Sequence, residues 1–391
     1  MSRRRAHVAM VGIPAVSHVL PSLALIRELV ARGHRVTYAN DPAVADLVSA
    51  TGAEPVPCAS VLPVADNDWP EDPVAAMGLF LDDAVQALPR LRAAYDADPA
   101  DLYLYDIGAY AARALAEAQG RPLMQLSPTF VGWEGYEQDV AVHLRQLPGA
   151  DAYRERFARW LAGCGAATTD VDAFSGRPAN TLALITRAMQ PHADRVDTRT
   201  VTFVGPCFDP AEGADAWTRP AGASKVLLVS LGSAYTRQPE FYRRCLAAFG
   251  DLPGWHVVLS VGKHTDPAGL GVIPANAEVH PWVPQRAVLA QADAFVTHAG
   301  MGGCSEGLLA GVPMIAVPQA ADQFMNADRL VELGVARRVD TADATPEALR
   351  SALLALTADP EVARRSAALR AAARSEGGTP RAADLVEAML D

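Results

Sequence analysis

Apolar positions along the chain fall into short dense runs, each followed by a stretch with helical spacing. Residues 5–13 form the first run, of a length that suits a buried strand. Behind it Leu20, Leu23, Ile26 and Val30 share one face over residues 19–32, and Gly33 supplies a stop. A second strand (34–40) and a second helix (42–50) complete β-α-β-α, the opening of a doubly wound parallel sheet. Residues 60–82 break the rhythm, with Pro63, Pro70 and Pro73 among acidic residues, and read as a surface loop. Helix 81–95, strand 101–106, helix 109–119 and strand 122–128 restore it. A helical, aromatic-rich stretch follows over 129–176, then strands at 180–188 and 200–206.

Residues 208–223 are rich in Pro, Gly, Ala and acidic residues and divide the chain near its middle. A second α/β series starts beyond them. It reads as strands at 225–233, 256–262, 277–283, 292–298, 313–318 and 336–340, with helices at 239–249, 305–310 and 326–333. A last helix, 380–390, carries an apolar face at Leu385, Val386 and Met389. The expected organisation is therefore a first domain over 1–207, a linker over 208–223 and a second domain over 224–375. The C-terminal segment, 376–391, is expected to return to the first domain.

Composition narrows the function classes. A chain of 391 residues exceeds one ordinary core, and 50% hydrophobic with 20% charged residues is globular stock. A net charge of −11 gives a nucleic-acid partner little electrostatic support, so any phosphate site must be built locally from helix N-termini and a few donors. The five cysteines are scattered without a C-x-x-C pair, which favours reduced thiols in a cytoplasm over disulfides or zinc. No apolar run reaches the ~18 residues of a membrane span. The basic start looks superficially like a signal peptide, but its short apolar run flows straight into a helix pattern and is read as a strand. Monomer and homodimer remain open.

The chemistry concentrates in residues 281–323. His298 ends a strand and precedes AGMGGCSEG, where Gly300, Gly302 and Gly303 let a backbone approach closely. A helix beginning near Cys304 would aim its free N–H groups at a diphosphate, with His298 as a further donor. Glu306, in the helix's first turn, is suited to ribose hydroxyls. Trp282 can stack a base and leave Gln285 for polar contacts, and the Asp322-Gln323 pair suits sugar hydroxyls. A lone Trp is usually core, a strand-ending His often a cap and a Gly cluster often only a turn; their joint spacing is harder to obtain by chance. The first strand is followed by GIPAVSH rather than G-x-G-x-x-G, which disfavours dinucleotide binding there. In the first half His18 follows the first strand and Asp106 ends DLYLYD. Both thus lie at carboxyl ends of strands and could meet as a base and its orienting carboxylate. No Asp, Glu or His metal cluster is visible, nor a D-x-D motif in a suitable loop.

The run W-x-P-Q, T-H-x-G, E-G, G-V-P-M-I-x-x-P and D-Q resembles the nucleotide-sugar signature of family 1 glycosyltransferases. The resemblance spans the chain. H-V-x-P-S-L and R-G-H-R-V-T-Y-A in the first half are similar to the bacterial macrolide glycosyltransferases that glucosylate antibiotics. It implies the GT-B fold, an α/β architecture of two Rossmann-like parallel-sheet domains facing across a cleft. It makes Trp282 the uracil stack, Val283, Gln285 and Glu306 nucleoside-side contacts, and His298 with Gly300, Gly302, Gly303 and Cys304 the diphosphate site. Asp322 and Gln323 would hold the hexose, and Ser230 and Ser233 a further phosphate-side contact. Plant relatives carry Asn-Ser at Gly302-Gly303, and the nearest macrolide enzymes have Ser at Cys304, which puts side-chain contact by Cys304 or Ser305 in doubt.

The resemblance also makes His18 the catalytic base and Asp106 its partner. The expected reaction is inverting transfer of glucose or a similar hexose from a UDP-sugar to a hydroxyl of a macrolide or other apolar natural product, inactivating an antibiotic. No metal or other cofactor is required, and the domains are expected to close about 208–223. Ile107, Ser127, Phe130, Trp133 and the 60–82 loop are candidates for acceptor contact. The rivals are a biosynthetic transferase using a dTDP-deoxysugar, disfavoured by Asp322-Gln323, and a non-catalytic drug- or nucleotide-binding protein, which would need neither His18 nor Asp106.

Overall fold

The structure, a computed structural model, describes residues 5–66, 68–176, 178, 180–209, 216–233 and 235–390. The proposed linker 208–223 therefore lies partly outside the described residues. Two compact units emerge: Met1–Ile185 with His192–Phe208 and Gly377–Asp391, and Thr186–Pro191 with Asp209–Glu376.

The first unit is built on seven parallel strands: β1 (His7–Val11), β2 (Arg35–Asn40), β3 (Glu54–Pro57), β4 (Leu102–Asp106), β5 (Leu123–Ser127), β6 (Thr181–Ala183) and β7 (Val201–Phe203). Their order is β3-β2-β1-β4-β5-β6-β7. The second unit has six: β8 (Lys225–Ser230), β9 (Trp255–Ser260), β10 (Ala277–His280), β11 (Ala294–Thr297), β12 (Met314–Ala316) and β13 (Ala336–Arg338), in the order β10-β9-β8-β11-β12-β13. Each sheet reverses its winding once, between β1 and β4 and between β8 and β11. Such reversals leave a crevice beyond the strands' carboxyl ends where ligands bind. The registers bring Val11 beside Tyr105 in the first sheet and Ser230 beside Thr297 in the second.

Both faces of each sheet are covered, which explains why the strands read as unbroken apolar runs. Ala9 and Val11 of β1 enter one core with Leu81, Leu88 and Phe157, while Val8 and Met10 enter another with Leu25, Ile26 and Leu29. Several elements differ from expectation. The helix expected from Leu81 runs Pro73–Tyr95, so 73–82 is not loop: Pro73 occupies the first helical turn, where no N–H is needed, and the Asp72 carboxylate accepts from Ala75 N at 2.7 Å. Strand β3, with the sequence EPVP, was not anticipated; as an edge strand it tolerates its two prolines. Of residues 180–188 only Thr181–Ala183 is strand, and Arg187–Met189 is a short turn of helix.

The helix Gly378–Glu387 packs in the first unit, burying Ala382, Ala383 and Val386 against Leu25, Ile26 and Leu29. Leu385 and Met389, expected to lead this face, are only partly buried. Glu387 anchors the helix. Its two oxygens accept from Arg32 Nη1 at 2.7 Å and pair with His34 Nε2 at 3.1 Å, all with little exposure. Glu387→Ala would leave buried His34 Nε2 without its partner, while Arg32 keeps Glu28 and Asp384, so it should cost about 1–2 kcal/mol. Calorimetry should register that as a clear fall in Tm; an unchanged Tm would show that the anchor carries no stability.

Candidate active site

In the first unit, the sequence placed His18 in a loop, whereas the helix Val16–Ala31 begins early and carries it in its first turn. His18 Nδ1 lies 2.9 Å from Asp106 Oδ2. The carboxylate is buried at 2% exposure and the imidazole is 24% exposed, so the pair opens on its histidine side only. Asp106 Oδ1 accepts from the Gly108 backbone N–H at 2.8 Å, fixing the carboxylate's second oxygen. A carboxylate bound to Nδ1–H sets the tautomer that leaves Nε2 basic. Burial among β4's neighbours and the register of β1 with β4 bring together two residues 88 positions apart.

The acceptor candidates fare unevenly. Ile107 follows Asp106 and is half-buried, as is Phe130. Ser127 is fully buried and its hydroxyl donates to Thr129 O at 2.9 Å, so it closes a turn and faces no ligand. Trp133 is half-buried, donates Nε1–H to Asp139 at 2.9 Å and stands edge-on to Tyr136 with centroids 5.0 Å apart. The sequence reading missed His192, whose ring lies 5.1 Å from Trp133, and the exposed Val16; Leu20, expected on the helix's apolar face, is instead exposed one turn after Val16, because Val19, Leu25, Ile26 and Leu29 form the buried face.

The second unit gathers the residues of 281–323. The helix expected from about Cys304 runs Met301–Ala310, with Gly300 as its N-cap and no side-chain cap. Gly302 and Gly303 therefore belong to the first turn, where N–H groups have no partner within the helix. Cys304 and Ser305 are buried and turn inward, and the Cys304 N–H is already donated to Gly300 O at 3.0 Å, which leaves the amides up to Gly303 as the free ones; burial holds the Cys304 thiol protonated. His298 sits between two glycines. A Cβ on Gly232 would lie 2.5 Å from His298 Cε1, and one on Gly300 would strike Nε2. Burial pushes the imidazole's pKa down to about 4, so the ring is neutral near pH 7, and its Nδ1 is buried without a hydrogen-bond partner among the described residues.

Trp282 is 75% exposed, an open face for stacking. Val283 is buried, which limits it to backbone contact. Gln285 Nε2 donates to Glu306 Oε2 at 2.5 Å, and burial raises the Glu306 carboxyl above its usual range. Ser230, at the end of β8, is buried and accepts weakly from Gly232 N at 3.4 Å, while Ser233 is exposed. Asp322 and Gln323 are the N-cap and first residue of the helix Gln323–Glu332, which begins earlier than expected. Gln323 is buried, with Oε1 accepting from Gln319 N at 2.8 Å and Ala320 N at 3.1 Å, so it shapes the turn while its amide nitrogen takes no part in those bonds. Asn326, missed from sequence, donates to Asp322 Oδ2 and to Ala299 O, both at 2.9 Å. It ties the Asp322 carboxylate to the turn that carries His298. Among the described residues no three His, Cys, Asp or Glu stand together to hold a metal ion, and no helix is long and apolar enough to cross a membrane.

Comparison with known proteins fixes the family. The sequence model for "UDP-glucoronosyl and UDP-glucosyl transferase" matches residues 207–370. Oleandomycin glycosyltransferase of Streptomyces antibioticus is 55% identical over 98% of this chain and 91% of its own length. The chain is a family 1 glycosyltransferase. The crystal structure of the glycotransferase of kitacinnamycin superposes on this glycosyltransferase with a TM-score of 0.92, at 52% identity and over the whole of both chains. The calicheamicin glycosyltransferase CalG4 gives a TM-score of 0.88 at 34% identity, covering 99% of this chain and 98% of its own. The two parallel-sheet units of the glycosyltransferase are therefore those of the GT-B fold, within a family that glycosylates macrolides and other natural products.

Proposed function

We propose that this glycosyltransferase moves glucose or a similar hexose from a UDP-sugar to a hydroxyl of a macrolide or comparably apolar acceptor, with inversion at the anomeric carbon. The His18–Asp106 pair carries the reading. An alcohol's pKa lies far above 7, and a tautomer-locked imidazole removes the proton as the oxygen attacks. The anomeric carbon–oxygen bond to UDP breaks as the new glycosidic bond forms. The leaving diphosphate's charge falls to the first-turn amides of Met301–Ala310 and to neutral His298, donors that need no reorganisation. That supports transfer without a metal ion, and glycosylation of an antibiotic hydroxyl would inactivate it. Trp282 would stack uracil, Glu306 and Gln285 would meet the ribose, and Asp322 the hexose.

A second reading, a biosynthetic transferase using a dTDP-deoxysugar, draws support from a relative: demethyllactenocin mycarosyltransferase of Streptomyces fradiae is 31% identical over the full chain. Mass spectrometry on a panel of macrolides and flavonoids with UDP-glucose and dTDP-sugars decides between them. A gain of one hexose from UDP-glucose, undiminished in EDTA, is the expected outcome; product from dTDP-sugars alone, or activity only with added divalent ion, would overturn it. Asp322→Ala should raise the UDP-glucose KM about tenfold, the scale of one charged hydrogen bond, while UDP affinity measured by calorimetry stays within a few fold. Equal losses in both would move Asp322 from the sugar to the nucleotide.

A further inference from the structure

The turn that carries His18 is weakly held by its own backbone. Pro21 stands inside the helix Val16–Ala31, and a proline there has no N–H to donate to the carbonyl four residues earlier, at Ser17. One of the backbone bonds that would tie His18's turn to the next is therefore missing. Side chains on β2 stand behind that gap. Ser22, one helical turn after His18 and 1% exposed, donates to Val19 O at 2.8 Å and lies 3.2 Å from the Tyr38 hydroxyl. A serine has one hydroxyl proton, so Tyr38, also 1% exposed, is the donor between the two. Asn40, the last residue of β2, donates Nδ2–H to Ile13 O at 3.2 Å and accepts from Asp41 N at 2.7 Å, which fixes the loop that launches the helix. The packing is tight: a Cβ on Gly12 would come within 2.8 Å of Tyr38 Oη and 2.9 Å of Asn40 Nδ2.

We propose that Tyr38, Ser22 and Asn40 are positioning residues that hold His18 against Asp106, replacing the backbone restraint that Pro21 removes. Asn40 sets where the helix starts, and the Tyr38–Ser22 bond sets its rotation about its axis. None of the three acts on the substrate; each acts through His18. The inference rests on His18 being the base.

The test compares Tyr38→Phe, Ser22→Ala and His18→Ala with the wild-type enzyme, using UDP-glucose and a macrolide acceptor at 20 °C, with UDP affinity measured by calorimetry. Tyr38→Phe and Ser22→Ala should each lower kcat about tenfold, as slight misplacement of a catalytic group does, with UDP Kd within twofold. Adding Pro21→Ala, which restores the N–H, should return part of the kcat lost in Tyr38→Phe. A purely structural role would lower Tm and leave kcat untouched. Wild-type kcat in both variants with His18→Ala inactive overturns this proposal alone, and so does a fall in kcat matched by a fall in UDP affinity. Full turnover by His18→Ala removes the base assignment and this proposal with it. Should Tyr38→Phe fail to fold, Ser22→Ala decides by the same criteria.

Discussion

His18→Ala should lower kcat by about a thousandfold while leaving UDP affinity within a few fold. General-base catalysis of this kind contributes roughly 10²–10⁴ in rate. The residues expected to hold UDP, from Trp282 to Gln323, belong to the second unit, and His18 to the first, so the two functions should separate cleanly on mutation. Initial rates at saturating UDP-glucose give the first quantity and calorimetric titration of UDP the second. Asp106→Asn should follow His18→Ala in direction: with the amide oxygen kept by the Gly108 N–H, the NH2 group faces Nδ1 as a donor and favours the wrong tautomer. Turnover by His18→Ala at the wild-type rate would refute the base assignment outright.

Gly232→Ala should raise the UDP-glucose KM and the UDP Kd by more than about tenfold, with a smaller change in kcat. Two effects add. Gly232 has φ +75°, a left-handed conformation that costs a residue with a Cβ roughly 1–2 kcal/mol. Its methyl would also stand 2.5 Å from His298 Cε1, and relief requires the ring to leave the place it holds beside Gly300. If His298 serves the diphosphate, donor affinity is what suffers. A variant that binds UDP as tightly as the wild type would separate His298 from the phosphate site, whatever the change in Tm.

The central strands and their order of appearance were legible because both their faces are buried, which makes each a compact apolar run; the exposed edge strand β3 was not. Several helix starts were not, although that of Pro239–Phe249 was. At Pro73 and Met301 the first turn contains proline or glycine, residues that propensity assigns to loops. The fold uses them otherwise. Pro73 sits where its missing N–H is harmless. Gly303 and Gly307 let their helix lie close on the sheet, since a Cβ would meet Thr297 Oγ1 at 3.0 Å and the Met314 sulfur at 2.6 Å. The residues expected to hold the donor stood out in the sequence because they crowd into one stretch of chain. The His18–Asp106 pair needed the sheet order before distance along the chain became proximity. Asn326, Asn40 and Tyr38 left no trace in the sequence pattern, because a buried polar side chain acquires its role only from the partners that the fold sets around it.

The polypeptide passes from one compact unit to the other at 185/186, 191/192, 208/209 and 376/377. The short excursion is fastened within the second unit, where Glu376 accepts from Arg187 N at 2.9 Å and Arg329 donates to Ala188 O at 2.9 Å. Module exchange between relatives must respect all four junctions. A chimera cut once near the middle of the chain would import a foreign hexapeptide partner and a foreign terminal helix, and Arg32 and His34 would inherit whatever residue stands at position 387. A graft of the second unit built from 186–191 together with 209–376, returning to the host sequence at Gly377, keeps each unit's own fastenings and is the recombinant that tests which unit sets sugar specificity.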